Sequence, residues 1–179
     1  LQCAGPGGAC VIAPTAALPP ITGPVLIDGY SQPGSFPNTQ APGLGLGSAA
    51  VLQIELDGAA ASGADGLVIN APSLSLVEIH GMSLYHWNNA IHVQGPGDSS
   101  QLIGGNFIGL RVDGSLPTPV QATGIAVFGG HAVIGGGMAH DMNVIGGNSD
   151  GIRIGSIAPG SGVLVQGNLI GTSPNGLAA

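Results

Sequence analysis

The chain has 179 residues, enough for one domain, and a formal net charge of −7, with Arg111 and Arg153 as its only arginines and no lysine. Nucleic-acid binding needs a basic surface, so this charge excludes that class of function and disfavours unaided binding of acidic polysaccharides. Hydrophobic residues make up 44% and charged residues 6%, the reverse of a disordered chain, and 34 glycines without a three-residue period exclude collagen.

No targeting or membrane segment is visible in the sequence. No apolar run approaches the length of a transmembrane helix, so membrane insertion is not expected. The start at Leu1-Gln2-Cys3 is typical of a mature or trimmed end, and residues 176–179 stop without a closing element. A fragment of a longer chain therefore stays open as an interpretation.

Cys3 and Cys10 flank a loop rich in glycine and proline. In a secreted protein this pair predicts a local disulfide, with two free cysteines as the alternative. A metal site would need more ligands than these two. We interpret residues 1–11 as an N-terminal cap that carries the disulfide, and residues 12–179 as the repetitive body of a single domain.

Residues 18–57 are predicted to hold the first strands and one long loop. The apolar segment at 25–28 follows a Leu-Pro-Pro-Ile run and ends at an Asp-Gly pair, which is typical of a turn. A segment rich in glycine, proline and serine at 34–49 predicts a surface loop. The strand after it is predicted from Val51 to Asp57.

A four-residue pattern recurs along the middle of the chain: a small residue, an aliphatic residue, a variable residue and a second aliphatic residue. Its copies lie at 66–69, 90–93, 124–127 and 151–154, with spacings of 24, 34 and 27 residues. This period-two alternation predicts strands with one buried face. The predicted inward positions are Leu67, Ile69, Ile91, Val93, Ile125, Val127, Ile152 and Ile154, and the predicted outward row is Val68, His92, Ala126 and Arg153.

A second series of glycine-containing copies is interleaved with the first, and we expect it on another side of the same coils. Its two longest copies are GNFIGL at 105–110 and GNLIGT at 167–172, and the copies begin at Ile79, Ile103, Ile134, Ile145 and Val165. No segment between the strands has helical spacing, which disfavours a sheet built from β-α-β units. Strands that recur every ~20–30 residues without helices predict an all-β, right-handed parallel β-helix (a β-solenoid) of about seven coils, on the order of 35 Å long.

Asparagines in this second series are predicted to stack at one turn of the coil. Asn106, Asn148 and Asn168 follow glycines at equivalent positions of their copies. Asparagine tolerates the left-handed conformation of a tight turn, and stacked side-chain amides can bond from coil to coil. We interpret the three as a structural ladder, with a ligand-binding row as the alternative.

The segment ALPPITGPVLIDGYSQPG at 17–34, together with GNFIGL and GNLIGT, resembles the right-handed parallel β-helix repeat proteins of bacterial surfaces and secretions. The resemblance covers nearly the whole chain from about Ile12. It implies an extracellular or cell-surface β-helix, often a module of a larger surface protein, and no particular chemistry. The wider pectate-lyase-like fold hosts lyases, hydrolases, epimerases and phage tailspikes, so fold alone does not decide the function.

Candidate catalytic carboxylates are few, because most of the acidic residues precede glycine in predicted turns. Glu55 and Asp57 alternate along one predicted strand, and Glu78, roughly one coil later, is expected to stack near Glu55. Glycoside hydrolysis usually needs two carboxylates that face one bond. These three residues are therefore the weak catalytic candidates. No cofactor or metal is predicted, although calcium could bridge an acidic site to an acidic polysaccharide.

The catalytic motifs of enzymes with the pectate-lyase-like fold are missing from this sequence. The polygalacturonase set of Asn-Thr-Asp, Asp-Asp, Gly-His and Arg-x-Lys does not occur. Arg111 and Arg153 lack the neighbouring acid cluster that pectate lyases combine with an arginine base. The five histidines lack the spacing of a zinc motif and are interpreted as isolated surface residues.

Tyr85, Trp87 and Asn88 form a cluster in a chain that is only 3% aromatic. Aromatic rings on a loop can stack on a sugar while an amide bonds its hydroxyls, so we hypothesise a glycan-binding site here. The alternative is that the rings cover the side of the coil or close one of its ends.

Three functions follow from the sequence. We favour an extracellular structural or adhesive module that associates end to end into filaments, because open strand edges without lysine favour edge-to-edge growth. The alternatives are a polysaccharide-active enzyme at Glu55, Asp57 and Glu78, and a non-catalytic module that binds a polysaccharide or cell-surface glycan.

Overall fold

The computed structural model describes residues 8–96, 99–155 and 161–177. These residues contain fifteen short strands and two single-turn 3-10 helices, Gly29–Ser31 and Ala139–Asp141, and none of their helices is long and apolar enough to cross a membrane. The strands are β1 (Cys10–Ile12), β2 (Val25–Asp28), β3 (Ile54–Asp57), β4 (Leu67–Ile69), β5 (Leu76–His80), β6 (Met82–Tyr85), β7 (Asn89–Val93), β8 (Ser100–Gly104), β9 (Phe107–Ile108), β10 (Gln121–Val127), β11 (His131–Gly135), β12 (Val144–Ile145), β13 (Asn148–Ile154), β14 (Gly162–Gln166) and β15 (Leu169–Ile170).

The strands form three sheets, in which all pairings between these strands are parallel. Sheet A has the order β1-β3-β6-β9-β12-β15, sheet B the order β4-β7-β10-β13, and sheet C the order β2-β5-β8-β11-β14. From β3 onward the chain visits sheets A, B and C in turn and then begins again. The predicted all-β class with parallel strands is confirmed, and the connections in residues 8–96, 99–155 and 161–177 contain no α-helix.

The core lies on the inner faces of the three sheets, where aliphatic side chains stack in register. Leu67, Ile91 and Ile125 are paired neighbours across β4, β7 and β10. Six of the eight predicted inward positions are buried, namely Leu67, Ile69, Ile91, Val93, Ile125 and Val127. Their burial confirms the predicted alternation in sheet B. Burial of this apolar area is the main stabilising term of such a fold.

Two predicted inward positions of sheet B are not fully buried. Ile152 is only partly buried and Ile154 is 50% exposed, because β13 is the outermost strand of sheet B among the described residues. Ala126 lies in the predicted outward row, in register with His92 and Arg153, but it is buried. Its small side chain lies in register between the longer His92 and Arg153, which shield it from solvent.

The described residues contain slightly fewer layers than the predicted number of coils. Sheet A, the largest, has six strands in the described residues, whereas about seven coils were expected. Successive strands of sheet A are offset by 44, 28, 24, 37 and 25 residues, from the registers Cys10↔Ile54, Ile54↔Met82, Ser83↔Phe107, Phe107↔Val144 and Val144↔Leu169. Long loops in the first and fourth intervals consume the residues that a seventh layer would need.

The first long loop also changes the predicted start of β3. The strand begins at Ile54 rather than Val51, since Val51 instead makes an isolated antiparallel bridge with Phe36 inside the loop. Asn38 anchors the same loop, because its Nδ2 donates to the Ala139 carbonyl at 3.0 Å and its Oδ1 accepts the Ala49 N–H at 2.8 Å. The loop is therefore anchored to the 3-10 helix Ala139–Asp141, while most of its residues are exposed, as predicted for a surface loop.

An asparagine ladder runs along the corner where sheet C leads into sheet A. Asn143 Oδ1 accepts the Asn106 N–H at 3.0 Å, and Asn143 Nδ2 donates to Asn168 Oδ1 at 2.8 Å. The ladder ends at the Met82 N–H, which donates to Asn106 Oδ1 at 3.0 Å. Side-chain amides thus satisfy backbone groups that the tight corner would otherwise leave without partners.

The ladder differs from the predicted set in one member. Asn148 follows β12 of sheet A rather than a strand of sheet C, so it lies at a different corner and its Oδ1 accepts from Gln121. Asn143 takes its place, although a loop rather than a glycine precedes it. The shared signal is Asn-x-Ile-Gly, which occurs at 106–109, 143–146 and 168–171.

Candidate functional site

Glu55 lies on the outer face of sheet A, but the chain covers it completely. Its side chain has no solvent exposure. Glu55 Oε2 accepts the Tyr85 hydroxyl at 2.8 Å, and Oε1 accepts the Val112 N–H at 2.9 Å. The Arg111 guanidinium carbon lies 5.0 Å from the centre of the Tyr85 ring. This carboxylate holds residues 110–112 against the sheet and offers no oxygen to a substrate.

Tyr85 is part of the same buried network. Burial first, and then the hydrogen bond to Glu55, raise the pKa of Tyr85 well above its ordinary value. Its phenol therefore stays protonated and serves as the donor to the carboxylate. A neutral, fully enclosed phenol is suited to a structural role.

Trp87 is buried in the apolar core at the corner after β6. Its ring is 2% exposed, and Nε1 donates to the Leu56 carbonyl at 3.0 Å. A Cβ at Gly58 would lie 2.5 Å from Trp87 Cδ2, so only glycine lets the indole pack there. Tyr85 is 1% exposed. Sugar stacking requires exposed ring faces, and neither aromatic residue has one.

The three predicted catalytic carboxylates are not brought together. Glu55 and Asp57 both lie on β3 of sheet A, but Glu78 lies on β5 of sheet C, between Leu26 and Leu102 in register. The residue that stacks on Glu55 one layer later is Ser83. The expectation that Glu78 stacks near Glu55 was wrong, because the chain passes from sheet A through sheet B to sheet C between them, and Glu78 lies on β5 of sheet C.

Glu78 lies instead in an open cleft of about 500 Å³ on the outer face of sheet C. The ionisable side chains that line this sheet C cleft are Asp28, Tyr30, Glu78, His80, His140 and Asp141. His80 Nε2 is 3.4 Å from Glu78 Oε2, and His140 Nε2 is 3.4 Å from Asp141 Oδ1. Carboxylates and imidazoles in one cleft are groups that can exchange protons with a bound molecule.

Tyr30 closes one side of the sheet C cleft. Its hydroxyl donates to the Gly105 carbonyl at 2.6 Å. Burial, followed by the nearby Asp28 carboxylate, raises the pKa of Tyr30 well above its ordinary value. The phenol is therefore a fixed donor, which leaves acid–base chemistry in this cleft to the carboxylates and histidines.

The prediction of isolated surface histidines is wrong for four of the five. His80, His86, His92 and His140 each lie within 3.4 Å of a carboxylate. The shortest pair joins His92 Nδ1 to Asp65 Oδ2 at 2.6 Å. Two of the pairs, His86 with Asp57 and His92 with Asp65, were not recognised in the sequence, because their members are 29 and 27 residues apart and meet only through strand register. The other two pairs join near neighbours in the chain.

Asp65 is the most extensively bonded of these carboxylates. Besides His92, it accepts hydrogen bonds from the Asn88 side chain at 2.9 Å and the Asn89 side chain at 2.7 Å. Burial alone would raise the pKa of Asp65, but these hydrogen bonds outweigh burial and leave the pKa below its ordinary value. Asn88, the third predicted glycan contact, thus has its side-chain N–H committed to Asp65.

Two further features of the sequence analysis concern a metal site and the predicted disulfide. Within residues 8–96, 99–155 and 161–177, no three His, Cys, Asp or Glu side chains are grouped to hold a metal ion. Cys10 is a buried residue at the start of β1. Its predicted partner Cys3 lies outside the described residues, so the disulfide stays a prediction.

Comparison with known proteins does not assign a function: no family model, curated protein or solved structure matches the chain. The likeness to β-helix repeat proteins therefore rests on the sequence motifs alone.

Proposed function

We propose that the three sheets are the walls of a right-handed parallel β-helix, and that the protein is an extracellular structural or adhesive module that associates end to end. The repeating order of sheets A, B and C supports the β-helix, since each strand is followed by strands of the other two sheets before its own sheet resumes. Crossover connections between parallel strands are right-handed in nearly all proteins, which supports the hand.

The observation that carries the proposal is the exposure of core positions in the last layer. Val127, Ile134 and Ile145 are at most 1% exposed, whereas their register partners Ile154, Val165 and Ile170 are 50%, 40% and 49% exposed. The difference arises because β13, β14 and β15 are the outermost strands of their sheets in the part of the chain that the structure describes. This end surface combines apolar side chains with three strand edges that can accept a further layer.

The opposite end, formed by β1 and β2, also exposes apolar side chains, so it can pack against the end surface of another copy. Ile12 is 45% exposed and Val25 is 39% exposed, yet their register partners Leu56 and Val77 are core residues. The strands at both ends run in the same direction because every sheet is parallel. A second copy can therefore extend sheets A and C head to tail, while in sheet B the edge of β4 is already bonded to Ile21, whose N–H donates to the Val68 carbonyl at 2.8 Å. Such a head-to-tail contact is heterologous and grows an open filament.

The proposal is tested by electron microscopy and sedimentation of the 179-residue chain at rising concentration. We expect filaments whose length increases with concentration. Val165→Glu places a charge on the end surface and should leave single short rods, because an unpaired charge is costly to bury. The matched control is Leu164→Glu on the same strand, since Leu164 is 51% exposed but alternates to the outer face of sheet C.

Two outcomes would contradict the proposal: a wild-type chain that stays monomeric at all concentrations, or filaments that both substitutions affect equally. Circular dichroism of the two variants checks that each remains folded.

A second candidate function, processing of a polysaccharide, is favoured by the sheet C cleft. The cleft places the carboxylates of Asp28, Glu78 and Asp141 around one open space, and two such groups can serve as general acid and base on a glycosidic bond. This candidate keeps Glu78 from the sequence analysis but replaces Glu55 and Asp57, which lie on sheet A.

If the sheet C cleft is catalytic, Glu78→Gln should remove activity on a panel of neutral and acidic polysaccharides, measured as new reducing ends or unsaturated products. Loss of a general acid or base typically lowers the rate by about 10²–10⁴-fold. Asp150→Asn is the control, because Asp150 is an exposed carboxylate on β13 of sheet B. Wild-type protein without activity on any polymer of the panel would exclude this second function.

A further inference from the structure

His86 and Asp57 form a hydrogen-bonded pair at the corner between sheets A and B. His86 Nδ1 lies 2.8 Å from Asp57 Oδ1, and the same oxygen accepts the Ala59 N–H at 2.9 Å. A carboxylate only accepts hydrogen bonds, so Nδ1 carries the proton of this contact. In the neutral imidazole, Nε2 is then left as a hydrogen-bond acceptor.

His86 Nε2 has no hydrogen-bond partner, although the atom exposes less than 1 Å² of surface. The His86 side chain is 9% exposed. Buried side-chain polar atoms are bonded in the great majority of cases, so an orphaned acceptor requires an explanation. His86 also has a φ of 62°, a left-handed conformation that is uncommon for residues other than glycine.

A cavity of about 320 Å³ lies beside this imidazole, at the small end of the range for small-molecule sites. The lining combines polar side chains from Asn88, Thr118 and Gln121 with apolar surface from Pro119 and Val120. No Lys, Arg, Asp or Glu lines the cavity. Because the Asp57 carboxylate is bonded to the imidazole and the chain carries a net charge of −7, an anionic ligand is disfavoured.

We propose that this cavity, the His86 cavity, binds a neutral saccharide unit, one hydroxyl of which donates to His86 Nε2. A neutral saccharide carries both hydroxyl donors and apolar C–H faces, which match the mixed lining. Since Nε2 is buried, the hydroxyl reaches it after a shift of the imidazole or of residues 118–122. The inference goes beyond the proposed functions, because it depends neither on end-to-end association nor on the sheet C cleft.

The test is calorimetric titration of the chain with glucose, galactose, mannose, N-acetylglucosamine and their disaccharides, with galacturonate as the acidic probe. We expect millimolar or tighter binding of at least one neutral probe and weaker binding of galacturonate. His86→Asn, in which asparagine tolerates the left-handed backbone, should lower the affinity about tenfold through loss of the acceptor. His131→Asn is the control, since His131 is exposed on β11 and lines neither the His86 cavity nor the sheet C cleft.

A second measurement does not need a variant. In protein with ¹⁵N-labelled histidine, the bound saccharide should shift the His86 Nε2 resonance and leave the resonances of the exposed His131 ring unchanged. The inference is overturned if no neutral probe binds the wild-type chain, if galacturonate binds as tightly as the neutral probes, or if bound saccharide leaves the His86 resonance in place. Electron microscopy of the same samples reports separately on filament formation.

Discussion

Asn143→Ala is expected to lower the free energy of unfolding by about 3 kcal/mol, because it leaves several buried backbone and side-chain groups without partners at about 1–3 kcal/mol each. Asn143 is fully buried, its Nδ2 donates to the Ile103 carbonyl at 2.7 Å, and its Oδ1 accepts from the Asn106 N–H at 3.0 Å. Folded domains are stable by only about 5–15 kcal/mol, so this single side chain accounts for a large share.

Urea denaturation followed by circular dichroism measures this loss. Asn168→Ala is the matched control, since Asn168 belongs to the same ladder but is only partly buried near the end of the stack. Water can reach the groups that Asn168 releases, and we expect a loss of about 1 kcal/mol. Equal losses in the two variants would mean that the ladder does not depend on its buried centre.

Glu55→Ala is expected to destabilise the fold by about 3 kcal/mol and to release the segment around Arg111 from sheet A. The substitution removes the acceptor of the Tyr85 hydroxyl and of the Val112 N–H, both of which are enclosed with it. Losing one member of a buried, hydrogen-bonded charged network typically costs several kcal/mol. Glu55→Gln keeps one acceptor oxygen and should cost about half as much.

Trypsin gives a direct reading of this release, because Arg111 and Arg153 are the only arginines and the chain has no lysine. Cleavage after Arg111 should accelerate in Glu55→Ala. Asp113→Ala is the control on the same segment, where Asp113 Oδ1 accepts the Ser115 N–H at 2.9 Å in an exposed turn. Unchanged cleavage after Arg111 in Glu55→Ala would show that other contacts hold the segment.

The candidate sites were harder to predict than the strands, and Glu55 shows why. Alternation along β3 places the Glu55 side chain on the face of the strand away from the core residue Leu56. The sequence indicates this outward direction correctly. Alternation does not reveal what lies over the outer face of a strand. Residues 110–112 belong to a later layer and cover Glu55, so an outward carboxylate became a buried one.

Trp87 is a second example: the sequence analysis placed this aromatic residue on a loop, but the side chain lies in the core. The corner after β6 turns inward around Gly58 and Gly66, and a Cβ at Gly66 would lie 3.1 Å from the indole. Glycines more than twenty residues away therefore create the space for the ring. No local pattern around residue 87 carries that information.

The histidine–carboxylate pairs were missed for a related reason. His86 meets Asp57 and His92 meets Asp65 across separations of 29 and 27 residues. Such separations correspond to about one layer of the stack, yet layers differ in length because loops of different size interrupt them. Without the register, the spacing of a histidine from an acid could not be converted into a distance.

The sequence by itself determined the class of the fold: short strands with one apolar face, glycine-rich corners and no helical connections. These features are local, because period-two alternation and turn chemistry depend on neighbouring residues. Only the tertiary structure decided which strand stacks on which, that Asn143 rather than Asn148 completes the ladder, and that the sheet C cleft unites Asp28, Glu78 and Asp141. Those outcomes depend on loop lengths and register, which bring together residues far apart in the chain.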